Sequence, residues 1–146
     1  MEWYFDDTRN QRRLKKSLDS WIGTPHMHRV GVKGKGVDCI HFVGCVMVEV
    51  GAVQNFYIQD YARDWHLHRG EQLLYNGLLG FDSLVSIGFH SPMNGDIILF
   101  QYGRAAAHSS IYYDGEIYQA LFSGVEKRRW LDEHQRKKYG FRIKCL

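Results

Sequence analysis

A cysteine, a histidine and a polar amide suffice for nucleophilic acyl transfer, and Cys39, His108 and Gln119 occur here in that order. In such chemistry a thiolate attacks an amide carbonyl, an imidazole carries the proton, and a third group fixes the imidazole's tautomer and direction. Cys39 lies in GVDCIHFVGCVMVEVG, Gly36 to Gly51, immediately behind Asp38. Apolar side chains at 39, 42, 43, 46 and 50 share one helical face, and Ile40 and Met47 widen it until the helix must be buried. Asp38 is a natural N-cap and Gly51 a natural C-terminal stop. Cys39 is therefore expected in the first turn, where unpaired N–H groups and the helix dipole favour an anion. The expectation is a thiol pKa below the free value of about 8.5. Taken alone, Cys39 reads more simply as a buried cysteine opening a core helix, so the case for a nucleophile rests on the strands downstream.

Those strands can be placed by counting. Asp96 to Tyr102 (DIILFQY) is rich in β-formers and follows the turn residues Pro92 to Gly95. Ala105 to Tyr113 and Glu116 to Phe122 are two further strands, joined by Asp114-Gly115, a strong signal for a two-residue hairpin. With that turn, Tyr113 faces Glu116, Ser110 faces Gln119 and His108 faces Leu121. His108 and Gln119 then share one sheet face as diagonal neighbours, roughly 7–8 Å apart at the backbone, within reach of an amide-to-imidazole hydrogen bond. Ala105, Ala106 and Ala107 are expected to leave a groove beside the histidine.

The remaining segments supply a scaffold. Residues 11 to 22 carry Leu14, Leu18, Trp21 and Ile22 at helical spacing with basic residues opposite, an amphipathic helix ended by Gly23-Thr24-Pro25. HMHRVGVKGKG reads as a loop, and residues 58 to 76 as one or two helices broken near Gly70. No site is evident from there to Met93. Val125 to Arg129 reads as a strand, Trp130 to Lys138 as a short helix, and Phe141 to Cys145 as a last strand. A chain of 146 residues is one domain able to bury a core without staples. Three cysteines at irregular spacing are not a disulfide framework. The charged N-terminus lacks a signal peptide's apolar run and nothing is long enough to span a membrane, so cytoplasmic synthesis is expected. Net charge +3, spread rather than massed, gives no footprint for nucleic acid.

WIGTPHMHRVGVKGKGVDCIHFV, NGDIILF and HSSIYYDGEIYQA together resemble the successive motifs of the NlpC family of cell-wall cysteine peptidases, especially its compact phage and prophage-type members. The resemblance runs from Trp21 to Ala120. It implies a single catalytic domain over residues 1–146 with a papain-like α+β fold, the nucleophile at a helix N-terminus packed on an antiparallel sheet. It implies Cys39 as nucleophile, His108 as general base and Gln119 as the group that orients it. It also implies hydrolysis of a peptidoglycan stem-peptide amide, commonly D-glutamyl to diamino acid, with no cofactor or metal. Many members have histidine at the third position, a tyrosine where His26 stands, and a serine where Ile40 follows the cysteine. His26 and Asp38 are the expected substrate contacts, Asp38 through a free amine of the stem peptide. With no wall-binding domain in view, delivery by a phage tail or another wall-targeting assembly is expected.

Three rivals use the same residues differently. An acyltransferase or an amidase on another amide would keep the thiolate and histidine. A metal-binding module could draw on His26, His28, Cys39 and Cys45, or on His66 and His68, though none has a recognised zinc spacing. A silent binding domain would have the scaffold without the triad. Cys45 and Cys145 are expected to pack, and His41 to be a surface or satisfied histidine.

Overall fold

The computed structural model describes residues 2–55, 81–88, 91–102, 105–130 and 137–145. After a single 3-10 turn, Tyr4–Asp6, comes helix α1, Thr8–Trp21, whose N-cap Asp7 accepts the Arg9 N–H. Leu14, Leu18 and Trp21 are buried as the spacing predicts, but Ile22 lies one position past the helix end and is exposed. The glycine- and cation-rich stretch is not a plain loop. It folds into a small hairpin of β1, Gly31–Val32, and β2, Gly36–Val37, with Gly34 in the left-handed turn. Helix α2 follows, Cys39–Glu49, with Asp38 as N-cap and Gly51 at φ +79° just beyond its end.

The strands are β3 (Leu84–Ile87), β4 (Ile97–Tyr102), β5 (Ala105–Tyr113), β6 (Glu116–Leu121), β7 (Gly124–Arg129) and β8 (Lys137–Ile143). Among the described residues they form one antiparallel sheet in the order β3-β8-β4-β5-β6-β7. Both helices contribute to one large core with Ile97, Leu99, Ile111, Tyr118 and Phe141, while Ile98, Phe100 and Ile117 form a second cluster. The uninterrupted apolar run of β4 has this cause: alternate residues go to opposite clusters, so both its faces are buried.

Two departures from the expected elements have local reasons. The segment before Met93 contains the edge strand β3, too short to show a period. The last strand starts at Lys137, within the expected helix, and runs through Gly140, where an added Cβ would stand 2.9 Å from the Gly88 carbonyl oxygen. That glycine admits a neighbouring backbone instead of ending an element. The helices expected over residues 58–76 lie outside the described residues, as does most of the helix expected over 130–138.

Side-chain ties hold the layers in register. Lys15 Nζ donates to the Tyr118 hydroxyl at 2.7 Å, which donates to Asp19 at 2.9 Å, fixing α1 to β6 beside Gln119. Ser17 donates to Glu49 at 2.6 Å and fixes α1 to α2.

Candidate active site

Asp38 organises the start of α2. One carboxylate oxygen accepts the His41 N–H at 2.9 Å and lies 2.9 Å from His41 Nδ1; the other accepts the Arg29 N–H at 2.7 Å. Arg29 is held at φ +61°, a conformation that costs a side-chain-bearing residue energy and that this hydrogen bond helps to retain. Asp38 is 5% exposed. An ammonium group reaching it, as the expected substrate contact requires, would compete with these three hydrogen bonds. His41 is thus the satisfied histidine anticipated, and Ile40 is buried.

Cys39 opens α2 against the middle of β5, where the Ser109 hydroxyl donates to the Cys39 carbonyl at 2.9 Å. Its thiol does not have the low pKa that a helix start suggests. Burial pushes it up to about 11; the Ser109 N–H opposes the shift, the Asp38 carboxylate reinforces it, and the Ile40 N–H opposes it weakly. Although the residue as a whole is only half-buried, loss of hydration at the sulfur outweighs the helix terminus. The sequence reasoning missed Ser109, for which strand alternation was the available signal: if His108 faces one way, its neighbour faces the helix.

Next to the turn the hairpin register is as counted. Tyr113, Tyr112 and Ile111 pair with Glu116, Ile117 and Tyr118, and Asp114 and Gly115 have φ of +47° and +80°. His108 and Gln119, both buried, meet at 2.8 Å from Nε2 to Oε1. An amide oxygen only accepts, so Nε2 carries a proton, and in the neutral imidazole the lone pair is on Nδ1. The imidazole also lies 5.8 Å from the Phe100 ring, on the strand face opposite to the one Ser109 presents to α2. The β4–β5 register shifts immediately beside His108, between Phe100 and Gln101. A bulge there changes the local strand twist and the direction of the side chains beside it. The side chains of Ala105, Ala106 and Ala107, expected to border a groove, lie outside those described.

His26 pairs through its backbone with Val37, two residues before Cys39, and its ring lies tilted against that of Phe122, centroids 4.8 Å apart. Cys45 faces β1, its sulfur 3.7 Å from the Gly31 carbonyl oxygen, whereas Cys145 is exposed and not the packing residue expected. Among the described residues no three His, Cys, Asp or Glu side chains converge as a metal site would require. His66 and His68 lie outside them. Among the described residues no helix is long and apolar enough to cross a membrane.

The sequence matches no family model and no curated protein. The fold does have solved counterparts. The NlpC/p60 domain of the peptidoglycan hydrolase SagA superposes with a TM-score of 0.60 at 14% identity, covering 92% of this chain and 98% of that one. The peptidoglycan hydrolase RipB from Mycobacterium tuberculosis gives 0.65 at 17% identity, with 95% and 67% covered. A lipoprotein-like NLP/P60 protein from Staphylococcus aureus gives 0.65 at 16%, with all of this chain but 44% of that one covered. The chain has the papain-like α+β fold of NlpC/p60 domains.

Proposed function

We propose that this chain, having the NlpC/p60 fold, is a cysteine peptidase that hydrolyses an amide of peptidoglycan stem peptides, with Cys39 as nucleophile, His108 as base and Gln119 as its positioning residue. The observation that carries the reading is the His108–Gln119 hydrogen bond of 2.8 Å, on a strand whose next residue, Ser109, is bonded to Cys39. A buried imidazole whose Nε2 is held by an amide oxygen, on the strand that packs against the helix opened by Cys39, has a fixed ring direction. It suits proton transfer through Nδ1.

In this reading the thiol rests neutral and is deprotonated by His108 Nδ1 as the substrate carbonyl arrives. Sulfur forms a bond to the carbonyl carbon, and the oxyanion is held by the Cys39 N–H at the helix start. Collapse breaks the C–N bond, the proton on His108 passes to the leaving amine, and a thioester remains. His108 then takes a proton from water, whose oxygen attacks the thioester and releases the acid and the thiol. The bond between D-glutamate and the diamino acid is the proposed target, and delivery by a phage-like or other wall-targeting assembly is proposed with it. Mass spectrometry of muropeptides incubated with wild type, Cys39→Ala and His108→Ala tests the reading. Both variants should lose all turnover, and a new amine and acid should appear only with wild type. Cleavage by Cys39→Ala at the wild-type rate would overturn it, and products joined to an added amine instead of water would favour an acyltransferase.

A further inference from the structure

The turn after β6 presents an aromatic side chain that the core does not use. Phe122 is 80% exposed, whereas Phe5, Phe42, Phe100 and Phe141 are all buried. Leu121 pairs with Gly124, so Phe122 and Ser123 are the two residues of the turn that joins β6, the strand of Gln119, to β7. That turn is anchored to the segment leading to the nucleophile. Val125 donates to the Thr24 carbonyl at 2.9 Å and Gly23 to that of Val125 at 2.9 Å. The same segment continues as Pro25, His26 and Met27, where Val37 donates to Pro25 at 3.0 Å and Met27 to Val37 at 3.1 Å. Hydrogen-bonded backbone therefore runs from Gln119 past Phe122 and His26 to the start of α2. The His26 ring leans on Phe122 at 59° between planes, and Met27, 47% exposed, extends the apolar edge.

Resting on the wall-peptidase reading, we infer that the Phe122–His26 pair is a subsite for the amino sugar to which a stem peptide is joined. The face of a phenyl ring is electron-rich and apolar, and it suits the polarised C–H face of a pyranose. The His26 imidazole beside that ring, and the exposed Ser123 hydroxyl in the same turn, offer hydrogen bonds to hydroxyl and acetamido groups around it. The helix start agrees with such a substrate. The Asp38 oxygens are engaged by Arg29 and His41 and Ile40 is buried, an arrangement matched to a peptide whose N-terminus is already an uncharged amide. Because the ring sits on a two-residue turn pinned to the 23–27 segment, little ordering is needed on binding.

The test compares kcat/KM on a stem peptide still joined to its N-acetylmuramyl sugar with kcat/KM on the same peptide free. Phe122→Ala should reduce the ratio of the two at least tenfold, mainly through KM, and Phe122→Tyr should restore it. A ratio unchanged in Phe122→Ala, or one that Phe122→Tyr fails to restore, overturns the assignment. Calorimetric affinities of both ligands for Cys39→Ala, with and without Phe122→Ala, provide a readout independent of turnover. If wild type cleaves neither ligand the hydrolase reading falls, while a Phe122-dependent preference for the sugar-bearing ligand still upholds the subsite and its absence still removes it.

Discussion

When Cys45→Ala and Cys145→Ser leave Cys39 as the one thiol, its exchange with a small aromatic disulfide should accelerate about tenfold per pH unit through neutrality. It should level off only near pH 11, where burial and the Asp38 carboxylate place the thiol. At a pKa of about 11 the thiolate fraction at pH 7 is about 1 in 10,000, against about 3% for a free thiol, a deficit of roughly 300-fold. The more basic thiolate is intrinsically the better nucleophile, by about tenfold at a Brønsted coefficient of about 0.4–0.5. Cys39 should therefore react about 20–30-fold more slowly than free cysteine at pH 7, before any shielding by its half-buried position. Asp38→Asn keeps a capping side chain but removes the charge that repels the thiolate, and should move the midpoint down. Stopped-flow absorbance of the released aromatic thiol, from about pH 6 to about pH 11, follows the rising limb and its bend toward the midpoint. A reactive plateau below pH 8 that disappears in His108→Ala would refute the reasoning. It would mean that His108 already holds the thiol's proton in the free protein, so that desolvation does not govern the resting state.

Three further outcomes follow from named contacts. Gln119→Ala should lower kcat about 10- to 100-fold on a muropeptide, the scale of losing a partner that orients an active histidine; Gln119→His should recover part of it, and an unchanged kcat in the alanine variant would leave Gln119 as a polar strand residue. Asp96, 1% exposed, accepts from Arg142 Nε at 2.9 Å and from its terminal nitrogen at 2.8 Å, so Asp96→Ala should cost about 3 kcal/mol by stranding a mostly buried cation; a loss under about 1 kcal/mol in urea unfolding would contradict this. Gly95 sits at φ +92° with the Phe5 ring occupying the place of a Cβ, and Gly95→Ala should cost at least about 2 kcal/mol from strain and overpacking together, read as a lowered Tm.

Local chemistry in the sequence determined the parts of this molecule that depend on near neighbours. Asp38 caps α2 and Gly51 closes it because the groups they satisfy lie within one turn. The Asp114-Gly115 turn set the β5–β6 register, and with it the meeting of His108 and Gln119, because a two-residue loop leaves no freedom in how the strands pair. Tertiary structure decided whatever depended on surroundings. The rise in the Cys39 pKa comes from burial of the thiol, which outweighs both the helix start and the opposing Ser109 hydrogen bond and which no helix-terminus argument contains. Strand β3 exists because β8 offers it an edge, and Gly140 lies within β8 because a neighbouring backbone passes it closely. Phe122 looked like the last apolar residue of a strand. Only the turn geometry, by placing it one position past Leu121, turned it out into solvent beside His26.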